Sequence, residues 1–363
     1  MHPDSTALSQ KPASGRGALS NRDGRFETTR HEAVDDGWHR GDEELPPLRT
    51  TVGLDSARSV ITRNDSPDVP FEQSINPYRG CEHGCAYCFA RPSHAYLGLS
   101  PGLDFESRLF AKRGAADMLR AELARKGYRC SPIALGMNTD AYQPIERDLR
   151  VTRELLELLQ ETRHPVSIVT KSALVERDID LLAAMADTGL VHVALSIATL
   201  DRRLARRMEP RAAAPQRRLE TLSRLHAAGV PTAVLVAPVI PVLTDPELET
   251  ILRAAADAGA RRADYVLLRL PHELGELFPE WLAAHEPLQA AHVLNRLRTM
   301  GEGALYDSRF GRRMTGTGPY ADILRRRFHL ACRRLGLNRN LPALRTDQFR
   351  PPAADGQLEL PGC

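Results

Sequence analysis

Three cysteines lie close together in the run Gly80-Cys81-Glu82-His83-Gly84-Cys85-Ala86-Tyr87-Cys88. Three residues separate the first pair and two the second, with a glycine before each of the first two cysteines and an aromatic before the last. Thiolates this closely spaced can converge on one metal centre, and their softness suits an iron–sulfur cluster, zinc or copper(I) better than a hard cation. A structural zinc site takes four ligands, and a redox disulfide takes two. Three thiolates leave one position open, where chemistry can occur. His83 is poorly placed as a fourth ligand, because it sits inside the short span between two thiolates.

Such a loop needs elements to hold it. Short β-like runs recur at Ser74–Tyr78, Ile133–Met137, Val166–Thr170, Val191–Ile197, Thr232–Ala237 and Tyr265–Leu268. Helical patterns fill most of the gaps. Leu149, Leu155, Leu156 and Leu159 share one face, Ile179, Leu182 and Met185 another, and Leu248, Ile251, Leu252 and Ala255 a third. Thr244-Asp245-Pro246-Glu247 has the spacing of a capping box, and Gly189 and Gly229 stand where helices should stop. Strand–helix alternation with continuous apolar strands predicts a parallel sheet covered by helices. Six units are too few for an eight-unit barrel.

The rhythm covers residues 66–270. Beyond it, Phe278–His285, Leu288–Met300 and Tyr320–Leu335 read as helices around a Gly-rich stretch from Gly301 to Gly318. The expectation is a mostly helical, arginine-rich C-terminal cap over 271–350 and a loose tail over 351–363. Residues 1–65, rich in Ser, Gly, Arg, Asp and Pro and without a sustained period, read as a disordered extension.

In parallel α/β barrels, functional groups gather at the C-terminal ends of the strands. Asn138-Thr139-Asp140, Thr170-Lys171-Ser172, Ser196 with Thr199 and Asp201, and Pro238-Val239-Ile240-Pro241 fall there. Glu209-Pro210-Arg211, which follows the fourth strand, reads as a surface ion pair. Lys171 is one of only four lysines among 49 basic residues, so a lysine at this position suggests a need for a compact point charge.

The triplet, with its spacing and its aromatic, resembles the signature of the radical S-adenosylmethionine (SAM) enzymes. The resemblance implies a partial (β/α)6 barrel. Cys81, Cys85 and Cys88 would hold three irons of a [4Fe-4S] cluster, SAM would chelate the fourth, and Tyr87 would pack beside the adenine. It further implies reductive cleavage of SAM to methionine and a 5′-deoxyadenosyl radical, with the electron coming from a donor such as flavodoxin or ferredoxin. The run Ile75-Asn76-Pro77-Tyr78-Arg79-Gly80, then Thr170-Lys171-Ser172 and Leu195-Ser196, is similar to the branch related to spore photoproduct lyase. That similarity adds Thr139, Lys171 and Ser196 as SAM contacts.

One position departs from the branch. Met137 stands where the lyase carries a hydrogen-donating cysteine, and a thioether has no hydrogen to give. Cys130 is upstream in a different register, and Cys332 falls in the cap, where a small buried hydrophobe is the plainer reading. Repair of thymine dimers by the lyase's route is therefore not expected.

Eleven arginines between Arg309 and Arg350 face only Asp322 and Asp347, a balance that fits either phosphate contact or a solvated helix face. Nucleic acid is thus one candidate substrate. Two non-enzymatic alternatives stand beside the enzyme: a nucleic-acid-binding protein with a structural metal site and no SAM chemistry, and a thiol redox sensor. Neither needs a barrel. The net charge is +3 and no apolar run of about 18 residues is present, so no membrane partner is expected. Met1-His2-Pro3-Asp4-Ser5 lacks the apolar stretch of a signal peptide, and six cysteines with three in one loop do not form a secreted disulfide framework. The cytoplasm, where thiols stay reduced, is the expected compartment. Substrate and oligomeric state are not legible.

Overall fold

The apolar runs pair as parallel strands. The structure, a computed structural model, describes residues 15–27, 48–339 and 343–352. Its main sheet holds β1 (Gln73–Ile75), β2 (Ile133–Leu135), β3 (Val166–Thr170), β4 (Val191–Ser196), β5 (Thr232–Val239) and β6 (Arg262–Leu267). Each strand lies beside its predecessor, giving the order β6-β5-β4-β3-β2-β1, and Ile61–Arg63 adds an antiparallel strand outside β1. The register sets Ile75 against Leu135, Leu135 against Ile168, Thr170 against Leu195 and Leu195 against Val234.

The two faces of this sheet differ. Val166, Ile168, Val191, Val193, Leu195, Val234 and Val236 are fully buried and join the covering helices in one apolar cluster. Alternate positions, including Ser74, Ser167, Ala194, Ala233 and Ala237, line an interior cavity. Small residues at these positions leave the curved sheet hollow.

Helices α1 (Ala115–Leu123), α2 (Val151–Glu161), α3 (Ile179–Ala186), α4 (Arg202–Met208), α5 (Pro215–Ala227) and α6 (Leu248–Asp257) follow the strands in turn. Leu155, Leu156 and Leu159 of α2 and Ile251, Leu252 and Ala255 of α6 are buried as their spacing predicts. Leu149 belongs instead to a separate short turn, Glu146–Leu149, because Arg150 takes a left-handed conformation (φ 56°) and breaks the helix. The capping box is not formed. The Thr244 hydroxyl accepts from Ile240 N (2.8 Å) in the turn after β5, and the Glu247 carboxylate accepts from Leu200 N (2.8 Å).

The C-terminal part supplies α7 (Leu274–His285), α8 (Pro287–Met300) and α9 (Gly318–Leu335), the helical cap read from the sequence. Leu274, Phe278, Trp281, Leu282, Val293 and Leu297 form one apolar cluster with Cys85, Ala86, Tyr87 and Met208, so the cap packs against the cysteine loop. Among the described residues, no helix is long and apolar enough to cross a membrane.

The disorder expected over 1–65 does not hold for residues 15–27 and 48–65, which have defined places. Thr51–Leu54 pairs in parallel with Arg108–Ala111 in a small second sheet that also takes Tyr78–Arg79. Arg16 and Ala18 are buried. Buried hydrogen bonds, rather than an apolar period, hold this segment. Residues 1–14 and 28–47, including Pro46-Pro47, lie outside the described residues, as does most of the expected tail.

Candidate active site

The cysteine loop leaves the small sheet immediately after Tyr78–Arg79, and two glycines shape it. Gly80 (φ 73°) and Gly84 (φ 65°) take left-handed conformations that a side chain rarely adopts. A Cβ on Gly80 would stand 2.8 Å from Phe105 O. Cys81 N donates to Phe105 O (2.9 Å), and Cys88 N to Cys85 O (3.2 Å). Gln143 clamps the loop from the other side, accepting from Glu82 N (2.8 Å) and donating to Gly80 O (3.1 Å). Beneath it, the fully buried Arg91 donates to Cys85 O (2.9 Å) and pairs with the equally buried Glu106 (2.8 Å). A buried arginine needs such a partner, since an unpaired charge in the interior is costly.

Cys81, Cys85 and Cys88 all line one cavity of about 830 Å³ on the inner side of the main sheet. The five described cysteines are free thiols. Burial, with Asp140 and the neighbouring cysteines adding to it, pushes the Cys81 thiol well above its ordinary range. Cys85 is also pushed up by burial, although Lys171 opposes the shift. Among the described residues, no group of three or more His, Cys, Asp or Glu side chains is set to hold a metal ion. His83 is engaged by Asp140, 3.3 Å from its Nδ1. The donor set, three soft thiolates on the wall of a cavity with a lysine nearby, does fit an iron–sulfur cluster.

The strand ends converge above this loop. Lys171 Nζ lies 3.1 Å from Ser196 Oγ and 5.8 Å from the centre of the Tyr87 ring. Ser196 Oγ donates onward to Ala237 O (3.0 Å). Asp140 accepts from Lys171 N (2.8 Å) and Thr170 Oγ1 (2.7 Å). Burial alone would raise the Asp140 carboxyl, but His83 and these donors outweigh it and hold the group at about 2.

Tyr87, Lys171 and Ser196 are thus brought together, and Thr139 is not. Its hydroxyl is buried against Tyr78 O (2.7 Å), and it is not among the residues lining the cavity. Its neighbour Asn138 lines the cavity, with its backbone N held by Asn76 Oδ1 (2.8 Å). Met137 also faces the cavity, whereas Cys130 and Cys332 do not. Burial lifts both of those thiols to about 11.

The surface ion pair expected between Glu209 and Arg211 does not form. Glu209 is buried, accepts from the Tyr87 hydroxyl and pairs with the equally buried Arg218, while Arg211 turns to Glu82 (2.5 Å). Six of the eleven C-terminal arginines, Arg309, Arg312, Arg313, Arg325, Arg327 and Arg345, are committed to carboxylates. That leaves less free charge for phosphates than the composition suggested. Arg91, Glu106, Gln143 and Arg218 escaped the sequence reading, because isolated polar residues carry no motif, even one as near the loop as Arg91.

A parallel six-stranded fold with three cysteines and a lysine–serine–tyrosine group at one end defines a recognisable class. The family model described as "Radical SAM superfamily" matches residues 75–255. An uncharacterised protein of Mycobacterium tuberculosis is 40% identical over 221 residues, covering 60% of this chain and 65% of the relative. An uncharacterised protein of Acidianus two-tailed virus is 31% identical over 211 residues, covering 56% of this chain and 68% of that one. The chain belongs to the radical SAM superfamily, whose cofactors are a [4Fe-4S] cluster and SAM. Its fold is similar to that of spore photoproduct lyase. A structure of that lyase complexed with dinucleoside spore photoproduct gives a TM-score of 0.56 at 16% identity, covering 79% of this chain and 80% of that chain. A mutant form with bound AdoMet and the same dinucleoside gives 0.57 at 16% identity, with the same coverage. The chain spans about two thirds of the length of the mycobacterial relative it matches.

Proposed function

We propose that this chain is a radical SAM enzyme in which Cys81, Cys85 and Cys88 hold the [4Fe-4S] cluster and Tyr87, Lys171 and Ser196 receive SAM. The observation that carries this is the convergence of all six side chains on one cavity at the ends of parallel strands. When bound, the cluster supplies an electron that splits SAM into methionine and a 5′-deoxyadenosyl radical able to abstract hydrogen from a substrate.

The chain's own residues position and shield. The Lys171 ammonium offers a point charge for a carboxylate or ribose oxygen. The Arg218–Glu209–Tyr87 chain fixes the Tyr87 ring at the cavity wall. Thr139 acts indirectly, tying the end of β2 to the loop through Tyr78 O. The cap and the cysteine loop share an apolar cluster that buries one side of the loop. Residence in the cytoplasm and an electron donor such as flavodoxin or ferredoxin belong to the same proposal. Met137 on the cavity wall argues that the substrate is not the lyase's, because no hydrogen-donating thiol takes its place there. A structural cluster in a nucleic-acid-binding protein is the weaker reading, since its arginine-rich segment is largely paired with its own carboxylates.

The test is anaerobic reconstitution, with iron counted and 5′-deoxyadenosine assayed by mass spectrometry after addition of SAM and dithionite. The native protein should bind iron and form 5′-deoxyadenosine, and Cys85→Ala should do neither. Tyr87→Ala should keep its iron and bind SAM more weakly. A Cys85→Ala variant with full iron and undiminished product would end the proposal.

A further inference from the structure

Four arginines line the cavity. Arg313 pairs with Asp68, while Arg63, Arg262 and Arg269 have no ion pair among the described residues. Arg269 is the one beside the cysteine loop, over the Phe89 ring. It follows β6 by two residues. Its Nε is buried without a hydrogen-bond partner, and its Nη1 has only the Met314 sulfur at 3.4 Å. A guanidinium donor held out of water with nothing to donate to is costly unless a ligand completes it.

A second feature fixes where that ligand would lie. The Arg269 Cζ stands 4.7 Å from the centre of the Phe89 ring, and Phe89 immediately follows the last cysteine of the loop. Phe89 is 41% exposed although it also lines the cavity, so the pair stands at the rim. Stacking on the ring restrains the guanidinium while leaving its edge free, the arrangement that suits a planar fork gripping an oxyanion. Deeper in, Val169, Ala194, Ala233, Leu235 and Ala237 make an apolar wall.

From this geometry we infer that Arg269, held by Phe89, is the substrate anchor. It takes a phosphate or carboxylate at the cavity rim, so that the apolar body of the same molecule extends inward. The inference rests on the proposed radical SAM reading, because it gives the oxyanion to the substrate and not to SAM.

The test uses the full-length reconstituted enzyme saturated with SAM, without reductant, and equilibrium dialysis of four probes. Thymidine 5′-monophosphate is compared with thymidine, and N-acetylphenylalanine with its amide. The native protein should bind at least one charged probe about tenfold or more tightly than its neutral partner, and the pair that shows it identifies phosphate or carboxylate. Arg269→Gln, which keeps most of the stem and its packing, should abolish that preference. Arg269→Lys should keep part of it. Equal binding of charged and neutral probes by native protein, or a preference that survives Arg269→Gln at native iron content, overturns the inference. So does a loss of SAM affinity in Arg269→Gln with unchanged probe preference. Absence of 5′-deoxyadenosine from the native protein with reductant present would instead tell against the enzymatic reading.

Discussion

Glu209 shares its buried carboxylate between the Arg218 guanidinium and the Tyr87 hydroxyl, and Arg218 also donates to Ser196 O (2.8 Å). Removing the arginine would strand a carboxylate in the interior, so Arg218→Ala should cost about 3–5 kcal/mol of stability in anaerobic denaturation. Tyr87→Phe removes one hydrogen bond and should cost about 1 kcal/mol. Equal losses would mean that the ion pair is not the stronger tie. His164 provides a pH signature. It is buried between Pro165 O (3.0 Å) and the Tyr128 hydroxyl (2.8 Å), and burial pulls its pKa down to about 4. An unfolded histidine titrates near 6.5, so the neutral side chain's contribution is complete above about 6.5 and is lost as pH falls towards about 4. His94, also held at about 4 by burial, acts in the same direction. His164→Gln should therefore flatten, without abolishing, the fall in melting temperature from pH 7 to pH 5. A slope identical to the native one would show that this histidine is not responsible. The cysteines and Lys171 were legible because their meaning lies in spacing and strand position. Glu209 was legible only as a surface residue, since burial and the choice of Arg218 over Arg211 arise in the tertiary fold.

Residues 15–27 form a strap across the cysteine loop. Gly17 N and Ala18 N donate to the Glu106 carboxylate (2.9 and 2.8 Å), and Arg16 donates to Glu106 O (2.6 Å). Further along, Arg22 and Arg25 pair with Glu276 and Glu273 at the start of the cap (2.6 and 2.9 Å). The approach at Gly17 is so close that a Cβ there would stand 1.6 Å from Gly84 O. Gly17→Val should therefore lift the strap off the loop and expose the cluster. The expected effect is about tenfold faster bleaching of the reconstituted protein by a chelator, corresponding to about 1.4 kcal/mol of lost docking energy. Its melting temperature should change little. Unchanged bleaching would mean that the strap does not shield the loop. The six strands and the cap helices were legible because apolar periodicity is a local signal. The strap was not, since backbone N–H groups reaching a distant buried carboxylate leave no period. The capping box misled for a related reason: Thr244 and Glu247 found better partners outside their own helix.

An open sheet of six strands has two edges to protect, and this molecule covers both before joining them. Ile61–Arg63 pairs along β1, while Leu267 N of β6 donates to Met314 O (2.8 Å). The segment after Ile61–Arg63 then meets the segment before Met314. Asp68 accepts from Gly311 N (2.6 Å) and pairs with Arg313, which also reaches Ser66. The partial barrel is thereby stapled across its open side by two stretches about 245 residues apart, near the arginine assigned to the substrate. The bonds that join the two stretches are polar and exposed or part-buried, so the closure should open separately from the sheet. Arg313→Ala should raise hydrogen–deuterium exchange in residues 305–316 and 64–70 while leaving β3, β4 and β5 at native protection. Asp68→Asn should produce the same pattern. The double variant should be worse than either single one but less than additive, because the two residues share one ion pair while Arg313 also holds Ser66 and Asp68 also holds Gly311 N. Fully additive effects would mean that the shared ion pair contributes nothing, and exchange spreading into the central strands would make the staple part of the barrel's core stability.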